Sequence, residues 1–257
     1  MTRALHLAAA LLLAAGLAAC VHTIDGVVGT KTSDKDAAHA NVQLGVAYMQ
    51  QGQMALAKEK LERAAKQAPN SVEVHTSLAF LYERLDHPAQ AEAEYERALR
   101  ISPGNSDVAN NYAVYLCRTG KVDKALKNFD MAAKDRLYST PWAALTNAAV
   151  CLRSVQRAPE AVNYLERALQ QRPNYSNAVF ELADLQLELG SPGVAGQVVD
   201  RYLAMGIASP DVLLVGVRAA LARDDRPAAQ VYARRLRRDF AESVQTKALP
   251  QLLGDRG

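Results

Sequence analysis

Residues 44–69, LGVAYMQQGQMALAKEKLERAAKQAP, decide the fold, because their pattern returns along most of the chain. The stretch has Ala57 near its centre, Leu44 at its start and Leu61 and Pro69 after the alanine. Residues equivalent to Ala57 recur at intervals of 34, with one interval of 36, at Ala91, Ala125, Ala161, Ala195 and Ala229. Two helices cross closely only where small side chains lie between their backbones. The pattern therefore predicts a series of closely packed helices.

This period resembles that of the tetratricopeptide repeat (TPR), a helix-turn-helix unit of 34 residues. The resemblance implies an all-α fold, a right-handed solenoid of about six repeats in which each unit buries its apolar face against its neighbours. Prolines are expected to end several second helices and to lie in the first turn of others. The predicted units are about 38–71, 72–105, 106–139, 142–175, 176–209 and 210–243.

The first 19 residues have the composition of a secretory signal. Arg3 precedes an apolar run from Ala4 to Leu17, and the run ends in Leu17-Ala18-Ala19-Cys20. This ending resembles a bacterial lipobox, which implies cleavage before Cys20 and acylation of that residue. The alternative is an ordinary secretory signal in which Cys20 has no role. Val21 is not the aspartate that retains lipoproteins in the inner membrane of enteric bacteria, so we expect lipid anchoring at the periplasmic face of the outer membrane.

The two ends of the chain lack the repeat. Residues 20–37 contain Gly, Thr and Ser without a helical apolar period, and they predict a lipidated tether. Residues 244–257 are predicted to be a C-terminal tail. The last repeat helix is crowded with Arg234, Arg235, Arg237 and Arg238. A solvated cap explains these arginines, and an acidic partner or lipid headgroups are the alternatives.

The composition gives little sign of catalytic or nucleic-acid chemistry. A formal net charge of +3 over 257 residues is small, and it argues against a dedicated nucleic-acid binder. The histidines and cysteines do not have zinc-like spacing, and neither a phosphate-binding glycine loop nor a nucleophile elbow occurs. We therefore predict no catalytic residue, no metal and no cofactor. An enzyme with a site on the TPR face is the rival class, and no clustered nucleophile and base support it.

Two further thiols lie in neighbouring repeats. Cys117 and Cys151 fall near the middle of the first helix in units three and four, where neighbouring helices could bring them together. Two such thiols in an exported protein are expected to oxidise to a disulfide. The alternative is that both are small buried residues that fill core space.

The first helix of each TPR unit lines the concave face of a solenoid. At the N-terminal end, this places several apolar side chains on one open surface, which suits an amphipathic helix or an extended apolar segment of a partner. The tether or a neighbouring helix is the alternative occupant. Later units are expected to be more polar. The predicted partner-binding groove consists of Val42, Val46, Met49, Thr76 and Phe80.

The combination of a lipobox, a short tether and about six TPR units resembles the PilF/PilW family of type IV pilus pilotins. Matching segments are NVQLGVAY at 41–48, Asn110-Asn111-Tyr112, Leu137-Tyr138 and ELADL at 181–185. The resemblance implies a non-enzymatic outer-membrane lipoprotein that binds the pilus secretin subunit and promotes its localisation or multimerisation. Some family members have a disulfide between the third and fourth units. We expect a monomer. The rival is another lipidated TPR scaffold, such as a Tad-type pilus assembly protein or an adaptor for envelope machinery.

Overall fold

A computed structural model describes residues 33–254, which contain helices and no strand. This confirms the all-α prediction. The helices are α1 (Asp34–Gln50), α2 (Met54–Gln67), α3 (Val72–Arg84), α4 (Pro88–Ile101), α5 (Ser106–Arg118), α6 (Val122–Lys134), α7 (Pro141–Ser154), α8 (Ala158–Gln171), α9 (Ser176–Glu188), α10 (Pro192–Leu203), α11 (Pro210–Leu221), α12 (Arg226–Asp239) and α13 (Val244–Leu253).

Consecutive helices pack in pairs, α1 with α2 and so on to α11 with α12, and each pair is one repeat unit. The repeated alanines from Ala57 to Ala229 lie on the second helices and have no exposed surface, as close helix packing requires. In unit one the partner of this packing is Gly45. A Cβ atom at Gly45 would lie 2.6 Å from Cγ of Leu61, so the first helix can approach only because the side chain is absent.

The turn inside each unit requires one residue with positive φ. Glycine fills this position in units one, three and five, whereas an aspartate or glutamine fills it in the other three. The six residues are Gly52, Asp86, Gly120, Gln156, Gly190 and Asp224. Because an L side chain is disfavoured in this conformation, glycine is the readable sequence signal, and it marks only half of the turns.

The core is divided into three clusters along the solenoid. One includes Val42 and Leu61 at the N-terminal end, and a large central one extends from unit two into α9. The third joins α9 to the C-terminal helices. Leu169 and Val198 pack against both the central and the C-terminal clusters. Neighbouring units therefore share buried surface, as expected for a solenoid.

The N-terminal boundary of the solenoid differs from the prediction. Helix α1 begins at Asp34 rather than near residue 38, so the last part of the predicted tether is helical. The Ser33 side chain accepts a hydrogen bond from the backbone N–H of Asp36 (3.1 Å). Asp34 and Asp36 lie in the first turn, where negative charge is favoured. The cap and these acids explain the earlier start, and residues 20–32 lie outside the described part of the chain.

The C-terminal end also differs from the prediction. Residues 244–253 of the predicted tail form helix α13, which packs on α11 and α12 and buries Leu249 completely. Helix α12 is therefore not the last helix, and α13 rather than the arginine-rich helix caps the solenoid. Arg235 and Arg238 both pair with Asp239. Within residues 33–254, no helix has the length and apolar composition needed to cross a bilayer.

Candidate partner-binding groove

A groove of about 830 Å³ opens on the face formed by the first helices of units one to four. Apolar side chains from three helices line it, together with amides and two arginines. Two smaller cavities, of about 400 and 350 Å³, share Asn147 with this groove and continue it towards unit five. The first helices thus present one continuous recess and not a flat surface.

One repeat position supplies a line of apolar side chains along this recess. The spacing of its four residues follows the repeat, with intervals of 34, 34 and 36, and we name them the apolar ladder: Val46, Phe80, Val114 and Val150. The last three have exposed fractions of 40%, 43% and 46%. Exposed apolar side chains in a continuous line are typical of protein-binding surfaces. The sequence pattern predicted an apolar surface at the N-terminal end alone, and this was wrong, because the ladder extends to Val150 in unit four.

The five predicted groove residues separate into two groups. Val46, Met49 and Phe80 line the groove. Val42 does not, because only 3% of it is exposed and it packs in the N-terminal core cluster. The Thr76 hydroxyl donates a hydrogen bond to the carbonyl of Val72 in its own helix (2.8 Å), and Thr76 is not part of the lining. The Val42 assignment was wrong because this side chain packs in the core, whereas Thr76 is partly exposed and its role in partner binding stays a prediction.

A disulfide joins Cys117 of α5 to Cys151 of α7, with the Cα atoms 5.7 Å apart. Both cysteines line the 400 Å³ cavity together with Val114 and Val150. Phe129 of α6 also lines this cavity and is completely buried. The disulfide therefore lies next to the last two residues of the apolar ladder and ties the two helices that carry them.

A charged group lies beside the apolar ladder at units two and three. The hydroxyl of Tyr95 donates a hydrogen bond to Oε1 of Glu83 (2.5 Å), and Arg118 forms an ion pair with the same carboxylate. Burial, and then the bond to Glu83, raise the pKa of Tyr95 well above its usual range, so this phenol stays neutral. Arg84 donates to the carbonyl of Met49 at the end of α1 (2.8 Å). Both arginines are held in place at the groove wall.

The position that carries the apolar ladder becomes charged in units five and six. Its residues there are Asp184 and Arg218, which pair at 2.6 Å. Arg153 of α7 binds the other carboxylate oxygen of Asp184 at 2.9 Å and also pairs with Glu181 and Glu188, each at 2.5 Å. This charged cluster ends the apolar surface. Within the described part of the chain, His, Cys, Asp and Glu side chains form no group of three suited to a metal ion.

Comparisons with known proteins support the tetratricopeptide repeat and identify similar proteins of type IV pilus biogenesis. Tetratricopeptide repeat families match residues 42–106, 94–127 and 152–206. The type IV pilus assembly protein PilF of Pseudomonas aeruginosa is 29% identical over 235 residues, which cover 91% of this chain and 93% of that protein. The crystal structure of PilW, a widely conserved type IV pilus biogenesis factor, is 28% identical with a TM-score of 0.62, over 82% of this chain and 97% of PilW.

The structure of Pseudomonas aeruginosa PilF gives a similar result. It is 28% identical with a TM-score of 0.63, and the match covers 85% of this chain and 98% of the PilF chain. Sequence and structure thus agree on the same relatives, which are TPR proteins of type IV pilus biogenesis.

Proposed function

This chain is a PilF/PilW-like tetratricopeptide repeat protein, and we propose that it acts as a pilotin of the type IV pilus. In this role it is a non-enzymatic lipoprotein at the periplasmic face of the outer membrane. It binds the pilus secretin subunit and promotes the localisation and multimerisation of that subunit. The observation that carries the proposal is the exposed apolar ladder of units one to four in a chain with these relatives.

The apolar ladder can supply binding energy without further chemistry. Less than half of each of Phe80, Val114 and Val150 is exposed, so covering one side chain contributes roughly 1 kcal/mol. Phe80 packs edge-on against Tyr95, with ring centroids 6.0 Å apart, and is therefore supported from below. Aromatic side chains such as Phe80 are enriched at the centre of protein interfaces, and apolar neighbours such as Val114 help to exclude water around them.

The membrane anchor is the second part of the proposal. Cys20, the predicted lipidation site, lies outside the described residues, and the lipobox resemblance supports its acylation. We expect the intact mass of the membrane-extracted protein to match a chain that starts at an acylated Cys20. Cys20→Ser should release a folded solenoid from the membrane. A mature chain that starts elsewhere without acyl groups would contradict the anchor.

Site-specific photo-crosslinking in intact cells tests the partner. A photoreactive residue at Val114 lies on the apolar ladder, and the same residue at Val231 of α12 is a matched control, because Val231 is 53% exposed and far along the chain. We expect the secretin subunit to be captured from position 114 and not from 231. Capture of another envelope protein from position 114 would instead support a general scaffold. Equal capture of secretin from both positions would contradict binding in the groove.

A further inference from the structure

Two asparagines face the groove with unused hydrogen-bonding groups. Asn110 of α5 and Asn147 of α7 both line it, and Nδ2 of Asn147 donates to Oδ1 of Asn110 at 3.0 Å. This bond leaves Nδ2 of Asn110 as a free donor and Oδ1 of Asn147 as a free acceptor, because within residues 33–254 neither atom has a partner. The groove therefore offers a donor and an acceptor in neighbouring positions.

A neighbouring donor and acceptor match the C=O and N–H groups of an extended main chain. In the interior of a helix these groups are already bonded to each other and are not available to a receptor. In an extended segment both groups remain free, and alternate side chains point to the same side. Such a segment can bond to the asparagine pair while every second side chain packs on Phe80, Val114 or Val150.

The charge of the groove wall places a second requirement on the bound segment. The lining contains Glu83, Arg84 and Arg118, which sum to one positive charge. The Glu83 side chain is 10% exposed and already accepts bonds from Tyr95 and Arg118, whereas the Arg118 side chain is 61% exposed. The charge that a partner can reach on the groove wall is therefore mainly positive. An acidic residue of the partner would complement this charge.

Together, the amide pair, the apolar ladder and the exposed guanidinium define the chemistry of the bound segment. We propose that the groove holds an extended segment of the secretin subunit, with apolar residues at alternate positions and an acidic residue that faces Arg118. The inference rests on the proposed function, since it names the segment that the same groove binds.

Replacing an asparagine by leucine separates an extended from a helical partner. The affinity of the purified full chain for the purified secretin subunit is measured for the unaltered protein and for the variants Asn110→Leu and Asn147→Leu. For an extended segment, each variant loses a main-chain hydrogen bond and leaves a polar group unpaired, so affinity falls by about tenfold. For a helix, leucine adds apolar surface and binding is unchanged or tighter. Asn128→Leu on α6 is the control, because Asn128 is a partly exposed asparagine that lies outside the groove lining.

The charge requirement has its own variant. Arg118→Gln should weaken binding by about threefold to tenfold at low salt, and the difference should shrink near 1 M salt. Helical content by circular dichroism shows whether each variant is folded.

Unchanged or tighter binding of both leucine variants would show that the bound segment is not extended, but it would leave the pilotin proposal intact. If Arg118→Gln binds the secretin subunit with unchanged affinity, the proposed contact between Arg118 and an acidic residue of the bound segment is wrong. Failure of the unaltered chain to bind the secretin subunit contradicts the proposed function itself, and the inference with it.

Discussion

Units one to four (residues 34–171) and units five and six with the capping helix (residues 176–253) are built on one repeat but present different surfaces. In both regions the repeated alanine is completely buried, from Ala57 to Ala229. At the apolar-ladder position, however, the first region has Val or Phe, and the second has Asp184 and Arg218. The packing positions therefore maintain the solenoid throughout, whereas the ladder position is exposed and apolar in the first region and charged in the second.

The two regions also differ in how they are held together. The first contains the disulfide between Cys117 and Cys151. It also contains ion pairs from Lys121 and Lys124 of unit three to Glu92 of unit two. The second depends on apolar packing of α13, with Leu249 at its centre. We expect changes in the second region to alter stability without altering partner binding, and this difference can be tested.

The largest expected effect is that of the disulfide in the first region. The double variant Cys117→Ala/Cys151→Ala should lose about 3.5–4 kcal/mol of unfolding free energy, because the link closes a loop of 34 residues in the unfolded chain. Alanine is preferred to serine because Cys151 is buried. Urea unfolding measures the change, and reduction of the unaltered chain should give a similar loss. Free thiols in protein taken from the periplasm would contradict the account.

The next effect concerns the second region. Leu249→Ala should cost about 3 kcal/mol, because it leaves a cavity between α13 and the two helices beneath it. Hydrogen exchange should show lost protection in α11–α13, with secretin binding unchanged. Leu252→Ala, in the same helix but 37% exposed, is the control and should cost much less. Loss of secretin binding in the Leu249 variant would remove the functional distinction between the regions.

The smallest expected effect on stability is that of the pH-dependent ion pairs between Glu92 and two lysines in the first region. Hydrogen bonds from Lys121, and then from Lys124, lower the pKa of Glu92 from 4.5 to about 2. A carboxyl with a lowered pKa in the folded state stabilises the protein above about pH 4.5, and this stability is lost as the pH falls towards 2. Because more than 40% of each lysine side chain is exposed, water screens the pairs, and we expect about 1 kcal/mol.

Glu92→Gln should therefore destabilise the chain at pH 7 and match the unaltered chain near pH 2. Urea unfolding across this pH range measures the difference. Glu62→Gln, at an exposed pair with Lys58, is the control and should change stability by less. A Glu92→Gln deficit that stays constant down to pH 2 would show that packing, not charge, is responsible.

The repeat itself was readable from the sequence because helix packing allows few residue types at its closest points. The spacing of Ala57 and its equivalents fixes the helix order, and the 34 residues between Cys117 and Cys151 place them in neighbouring helices. Helix α13 was not readable, because it lies beyond the last repeat and contains Pro250. Its signals are local, with the Ser243 cap before it and Gly254 with positive φ after it.

The candidate site was only partly readable. The apolar ladder follows the repeat spacing, so Val150 could have been found by adding the 36-residue step to Val114. Val42 could not be excluded in this way, because its burial depends on the rotation of α1 against the next helices. The charged cluster at Arg153 joins side chains from different units, and its pairing requires coordinates.

The central claim is that the apolar ladder, and not the C-terminal region, carries the function. The most direct measurement is the amount of secretin multimer in cells that produce Phe80→Asp, Val114→Asp or the matched control Val231→Asp. All three place a carboxylate at a partly exposed apolar position. We expect the multimer to fall by about tenfold or more in the first two and to stay normal in the third, with membrane anchoring and helical content unchanged in all. Normal multimer in both ladder variants, or equal loss in all three, would contradict the account.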